Sequence, residues 1–322
     1  MRREGSPWRG VGVVFLKELS DHLTGPRMLV LAWVMVITAF VAVYVSIGQI
    51  KDSTPEDQFL FLRLFTQARA PLPPFVWFVS LLVPLIAIGL GFDLVNSEHS
   101  RRTLSRILAQ PIYRDALLTG KFLGALATIA INLLALWLLV IGLGLLLLGV
   151  PPGMQEIGRS FAMLAVTIVY AGVWLALGML FSIIFRSPAT AALLPLGLWL
   201  FLTFLWPRLA PGLAEAFTPG INTTEDLLGA LGIQQAFARL SPSALFSEVV
   251  AVVLDPSVRS TTQPMLAALG LALIERGAIP GATLPFLQSV LIVWPQIVGL
   301  IAAAILLFVA GYVAFQRQEV RA

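Results

Sequence analysis

The chain has 322 residues, 58% of them hydrophobic and only 12% charged, with a mean hydropathy of +0.90. A water-soluble domain carries charge on about a quarter of its residues, so this composition excludes an ordinary soluble fold and points to one dissolved in lipid. The net charge of +4 is no argument for nucleic-acid binding, and with no cysteine there is no disulfide framework, thiolate metal site or thiol nucleophile.

The first predicted element is an amphipathic helix in 8–23, WRGVGVVFLKELSDHL. Trp8, Val11, Phe15, Leu19 and Leu23 fall three or four apart, while Arg9, Lys17, Glu18 and Asp21 fall mostly elsewhere. That pattern and its position suit a helix on the cytoplasmic membrane surface, with a solvated amphipathic tail as the lesser alternative. Gly25-Pro26 ends it, because proline lacks the next helical N–H and disfavours helix in the residue before it. Residues 1–27 are too charged and too long for a secretory leader, so the first apolar run is read as an anchor that stays.

Six apolar runs then predict transmembrane helices over 28–50, 75–95, 122–149, 160–184, 189–206 and 290–315. The Pro-Pro-Gly turn in 150–159 makes the third and fourth spans antiparallel neighbours. Pro84, Pro195 and Pro295 favour kinks in spans two, five and six. Residues 207–289 are rich in Pro and Gly yet hold helical pieces from 224, at 244–254 and at 264–275, the last two with apolar parts too short to span. They are read as a helical extracytoplasmic subdomain resting partly on the membrane. The expected fold is an all-α integral membrane protein: an elbow helix (1–27), spans one to five (28–206), the outer region (207–289), and span six with its tail (290–322).

With the N-terminus inside, the cytoplasmic segments 1–27, 93–121, 185–188 and 316–322 hold 13 of the 21 Lys and Arg, although the outer segments are longer. The positive-inside rule therefore places both termini in the cytoplasm of a multi-pass protein of the cell (inner) membrane.

Between spans two and three lies EHSRRTLSRILAQPIYRDALLTGK, residues 98–121. Ser100 or Thr103 can cap a short helix whose Leu104, Ile107 and Leu108 share one face. Gln110-Pro111 stops it, and Pro111 suits the first turn of a second helix running into span three. The result is a shaped cytoplasmic knob rimmed by Arg101, Arg102, Arg106 and Arg114, suited to docking a protein partner. The same arginines would also set topology or hold anionic head groups, and charge alone does not choose.

Catalytic chemistry is missing. Apart from Asp93, the six runs contain no Asp, Glu, Lys, Arg or His, which argues against proton-coupled transport within them. The carboxamides Asn132 and Gln296 lie deep in spans, where they would bond helix to helix or line a pathway. Only His22 and His99 exist, too few for a metal hydrolase, and Glu98-His99 lacks a supporting group. DALLTGKF has Asp115 and Phe122 where a phosphate-cradling loop needs Gly and Ser/Thr, so ATP would have to be bound by another subunit.

With its spans and this loop, the chain resembles the membrane subunit of a type-2 ABC exporter, an ABC-2 type transporter permease. The likeness rests on Glu98, Thr103, Leu104, Leu108, Pro111, Ile112, Arg114, Leu118, Gly120 and Lys121, on Lys17, Glu18 and Leu19 of FLKELSDHL, and on the closing LLFVAGYVAFQRQEV. Arg102 stands where the family usually has glycine. The resemblance implies that 98–114 is a coupling helix seated on a cytoplasmic ABC ATPase. ATP and Mg would be bound by that partner, with no cofactor on this chain. It also implies an elbow helix carrying Phe15, Lys17, Glu18 and Leu19, and a second permease, identical or not, with the pathway between the two. A membrane scaffold that docks a partner and moves nothing is the alternative reading. Copper is a poor cargo for a chain without cysteine, and an apolar bundle suits a lipid-like or amphiphilic one.

Overall fold

The computed structural model describes residues 7–52, 59–68, 72–96, 114–218, 224–261 and 283–317. Its regular elements among these are helices: α1 (Pro7–Thr24), α2 (Pro26–Asp52), α3 (Arg63–Thr66), α4 (Phe75–Gly91), α5 (Arg114–Leu148), α6 (Met154–Ile184), α7 (Pro188–Leu200), α8 (Trp206–Glu215), α9 (Thr224–Ala238), α10 (Pro242–Leu254) and α11 (Phe286–Arg317). A π-helical turn, Phe201–Leu205, joins α7 to α8 without a break.

Among the described residues, five helices are long and apolar enough to cross a membrane: α2, α5, α6, the run α7–α8 and α11. The second expected span is the shorter α4, with 17 residues. At 1.5 Å per residue it measures about 25 Å, just under a hydrocarbon core. The apolar side chains that face outward confirm the solvent. On α2, Val30, Trp33, Ile37, Phe40 and Tyr44 form one exposed stripe at spacings of three and four. Water would reject such a face and lipid accepts it.

Helix α6 is the mast of the bundle. Of its membrane window 72% is buried, against 11% for α11. Beside it α4 runs in the same direction, from Ser80 level with Tyr170 to Asn96 level with Ser182. Gly91 and Gly178 make this approach feasible: a Cβ on Gly91 would stand 2.8 Å from the carbonyl oxygen of Leu175. Lipid tails are as apolar as leucine, so association here rests on close packing and hydrogen bonds rather than on expelling water.

The region from 207 to 261 takes a different path from the separate subdomain expected. Helix α9 leads to a turn at 239–241, and α10 leaves it at 116° to the last turns of α9, as in a re-entrant hairpin. The turn lies level with the middle of α6: Ser243 Oγ is 3.0 Å from the Tyr170 hydroxyl, and Phe246 stacks on the Tyr170 ring at 4.4 Å. Ten residues on, the carbonyl of Val253 meets Arg159 near the start of α6. Thus α10 runs antiparallel to α6 within the bundle, and Phe246, Val249 and Val252 are fully buried. Irregular backbone at such depth needs protein partners. Ser241 donates to the carbonyl of Leu202, Trp206 donates to that of Phe237, and Thr203 bonds Ser243, all from the π-turn or its edge.

Arg159, read from sequence as a loop residue, is wholly buried. Its guanidinium donates to the carbonyls of Val253 and Leu284 and to Ser289, binding the C-terminus of α10 and the N-terminus of α11 to α6. The carbonyls ending α10 are the negative pole of its dipole, which suits a cation. Nearby, Glu156 accepts from the backbone N–H of Gly153 and, at 2.8 Å, from that of Phe61, tying the preceding turn and the segment before α3 to α6.

The helix contact at Gly91 gives a direct test. Gly91→Ala forces α4 away from α6 and costs on the order of 1–3 kcal/mol, as overpacking does. Gly142→Ala, with nothing within 4 Å of its new methyl, leaves stability unchanged. Thermal unfolding of both variants in lipid nanodiscs checks the contrast.

Candidate functional site

The coupling residues expected from sequence, Glu98, Arg101, Arg102, Thr103, Leu104, Arg106, Ile107, Leu108 and Pro111, lie outside the described residues, and of Arg114 only its place as the first residue of α5 is described. What the structure supplies is the mounting on either side of them. Before the segment, Ser182 Oγ of α6 accepts from the backbone N–H groups of Val95 and Asn96 at 3.1 and 3.0 Å, and the Asn96 amide donates to the carbonyl of Phe185. Arg27 at the start of α2 bonds Asp93 at 2.6 Å. The chain therefore leaves α4 locked to the end of α6.

After the segment, α5 runs on for 35 residues as one helix, beginning eight residues before the expected span. Its first turns are clasped by α1. Gly120 and Gly124 allow contact: a Cβ on Gly120 would stand 2.7 Å from Val14 Cβ, and one on Gly124 would stand 2.8 Å from Glu18 Cβ. Between these contacts Lys121 Nζ bonds Glu18 Oε1 at 2.9 Å, both side chains buried, and Lys17 reaches the same oxygen at 3.0 Å. Breaking a buried pair by removing one member costs about 3–5 kcal/mol. Sequence reading named Lys17, Glu18 and Leu19 for the elbow and Gly120 and Lys121 for the loop's end. It missed that they meet, which the small residues four apart on α5 could have signalled. Of the other elbow residues, the Phe15 carbonyl and the Leu19 backbone N–H border Gly124.

Three groups of the elbow carry shifted protonation. Burial raises the Glu18 carboxyl, but the Lys121 charge beside it prevails and holds it below the usual carboxylate range. Burial also lowers Lys17, yet its bonds to Asp21 and Glu18 prevail and hold it above its ordinary value. For His22, 3.8 Å from Glu18, desolvation outweighs the neighbouring carboxylate and depresses the pKa.

The two carboxamides part company. Asn132 donates to the Thr128 carbonyl one turn earlier on its own helix. Gln296 joins a polar cluster at the re-entrant turn. Its Nε2 donates to Glu248 Oε2 at 2.8 Å, and Glu248 is also bonded by Arg239 at 3.0 Å and by Gln235 at 3.2 Å. The six apolar runs hold no such pair; the hairpin brings it in. The signal in the sequence was a single acidic residue inside ALFSEVVAVVL, with Gln235 and Arg239 one helical turn apart just before it.

A family model described as "ABC-2 family transporter protein" matches residues 13–320. The chain belongs to the ABC-2 family of transporter proteins. It is a membrane protein of that transporter family, with several apolar helices long enough to span. It is 30% identical over 148 residues to a protein named probable ABC transporter permease protein NosY from Pseudomonas aeruginosa, covering 44% of this chain and 52% of that protein. A protein of the same name from Stutzerimonas stutzeri is 30% identical over 136 residues, or 42% and 49% of the two chains. The chain thus spans about half the length of each of these relatives.

The elbow predicts a pH dependence. Unfolded His22 takes its proton near pH 6.5 and folded His22 only at lower pH, so the unfolded state binds more protons in between and stability falls as pH drops through that window. Glu18 adds loss in the same direction further down, below about pH 4.3. Lowering pH from 7 to 5.5 therefore reduces the thermal midpoint of the wild-type chain, and His22→Phe flattens that dependence.

Proposed function

We propose that this chain is the permease subunit of an ATP-driven exporter whose ATPase is a separate cytoplasmic chain. The observation that carries the reading is the way residues 97–113 are mounted. They leave α4 where Ser182 and Phe185 hold Val95 and Asn96, and they re-enter at a helix gripped by α1 through Glu18 and Lys121. A partner seated on this segment would act on α4 and α5 together, since its ends have no slack. Apolar Leu104, Ile107 and Leu108 would anchor such a partner, and Arg101, Arg102, Arg106 and Arg114 would orient it. ATP and Mg belong to that partner in this reading. The chain supplies the docking surface and the moving helices.

Both termini lie in the cytoplasm in this proposal, and a second permease, identical or different, completes the pathway. Lipid-facing apolar surface and the absence of cysteine favour an amphiphilic cargo over a soft metal ion. The two relatives named as permeases support the general role.

Charge reversal at three of the arginines tests the coupling. In Arg101→Glu/Arg102→Glu/Arg106→Glu, transport driven by the ATPase falls by about tenfold or more, the scale of losing several oriented charge contacts, while the protein still inserts. Unchanged transport by this variant, assayed in proteoliposomes with the partner ATPase, would overturn the assignment.

A further inference from the structure

The polar cluster beside the re-entrant turn is richer than a helix staple needs. Glu248 on α10 accepts from Arg239 Nε and Nη2, from Gln235 Nε2 and from Gln296 Nε2. All of its donors are protein groups, and among the described residues only Arg239 within salt-bridge distance brings charge. That arginine sits in the turn itself, 35% exposed, with a further bond to Thr261 Oγ1 at 3.0 Å. Gln296, by contrast, is only 3% exposed, and the carbonyl oxygen of the amide that bonds Glu248 is buried with no hydrogen-bond partner. A buried acceptor left unmade costs about 1–3 kcal/mol. Such an oxygen, next to a carboxylate and deep among apolar helices, calls for a donor that the resting protein lacks.

We propose that Glu248 and Gln296 form a cargo site for a primary ammonium group carried on an apolar body, with Arg239 as the tethered cation that fills it when empty. The site deepens the permease reading and rests on it for its purpose. Three features select the ligand. First, the Glu248 carboxylate, 14% exposed, pairs with Arg239, so a cation is the group that replaces the guanidinium without leaving that charge uncompensated. Second, an ammonium presents three N–H donors from one point, enough to serve a Glu248 oxygen and the unpartnered Gln296 oxygen at once. Third, one turn away on α10 and α11 stand Leu245 and Ile292, partly buried apolar side chains that offer surface to a hydrocarbon tail. Exchange is electroneutral: as cargo arrives, Arg239 swings from Glu248 towards its exposed side, and as cargo leaves it returns.

The test uses the full chain in lipid nanodiscs without any ATPase, and titrates octylamine, octyltrimethylammonium and 1-octanol by calorimetry against empty nanodiscs. Octylamine shows saturable binding. The trimethyl analogue has charge without donors and the alcohol has a donor without charge, and each binds at least about tenfold more weakly, as a site built for a hydrogen-bonded group rejects analogues that lack it. Glu248→Gln abolishes the saturable phase and Gln296→Leu weakens it by about tenfold. Arg239→Gln tightens octylamine binding, because the internal competitor is gone, an outcome that a purely structural ion pair would reverse. Should Arg239→Gln fail to fold, Gln296→Leu and the three-ligand comparison still decide. Equal uptake of all three amphiphiles, or unchanged binding by Gln296→Leu, would overturn the site and leave the orphan oxygen to water. Neither result touches the coupling test, which is read through the partner ATPase.

Discussion

Lipid offers no hydrogen bonds. Most buried polar groups in this bundle therefore find their partners within the protein, the Gln296 carbonyl oxygen being one exception, and much of the architecture follows from that constraint. Arg159 can be buried because the ends of α10 and α11 bring it carbonyls, and those ends are in turn fixed by serving it. The re-entrant turn can sit level with the middle of α6 because a π-turn frees the carbonyl of Leu202 and places Thr203 beside Ser243. π-turns recur at functional sites, and here one forms the seat of the hairpin that carries Glu248. The hydroxyls of Thr203, Ser243 and Tyr170 form a continuous chain across three helices.

The spans were legible in the sequence because length and apolarity alone decide them. Their ends were less so from hydropathy alone: the apolar run starts at 122, and it was the expected helix from Pro111 running into span three that foretold the single helix described from Arg114, whose Ala116, Leu117 and Leu118 are buried against their neighbours. Helix α1 was visible from its stripe of Val11, Phe15 and Leu19, yet the buried bond from Lys121 to Glu18 joins residues 103 positions apart and leaves no local trace. The path of α10 was the largest surprise. Its apolar stretch is too short to span, so sequence placed it outside; a hairpin needs only to enter and return. Arg159 misled for a related reason. A charge next to a Pro-Pro-Gly turn reads as surface, and only the folded bundle supplies the acceptors that let it be buried.

The candidate site was split in the same way. Its expected docking segment was read from motif-like residues, whereas the mounting on either side of it depends on Ser182, Asn96 and the glycines of α5, none of which carries chemistry alone. The polar cluster was half seen: Gln296 stood out inside its run, but its partner Glu248 was assigned to a loop region. Residues that act by contact across the bundle are those a linear reading finds last.

Proline is absent from α5 and from α6, while α4, α7 and α11 each carry one inside. With α2, whose only proline is its first residue, three membrane helices of this bundle are thus stiff struts, while α4, α11 and the run α7–α8 have joints. A displacement delivered to the first turn of α5 would emerge at Leu148, about 50 Å away, with nothing in between to absorb it. Bending is left to the jointed members, so the far mouth of the bundle feels a push at its base as a stroke rather than as a ripple.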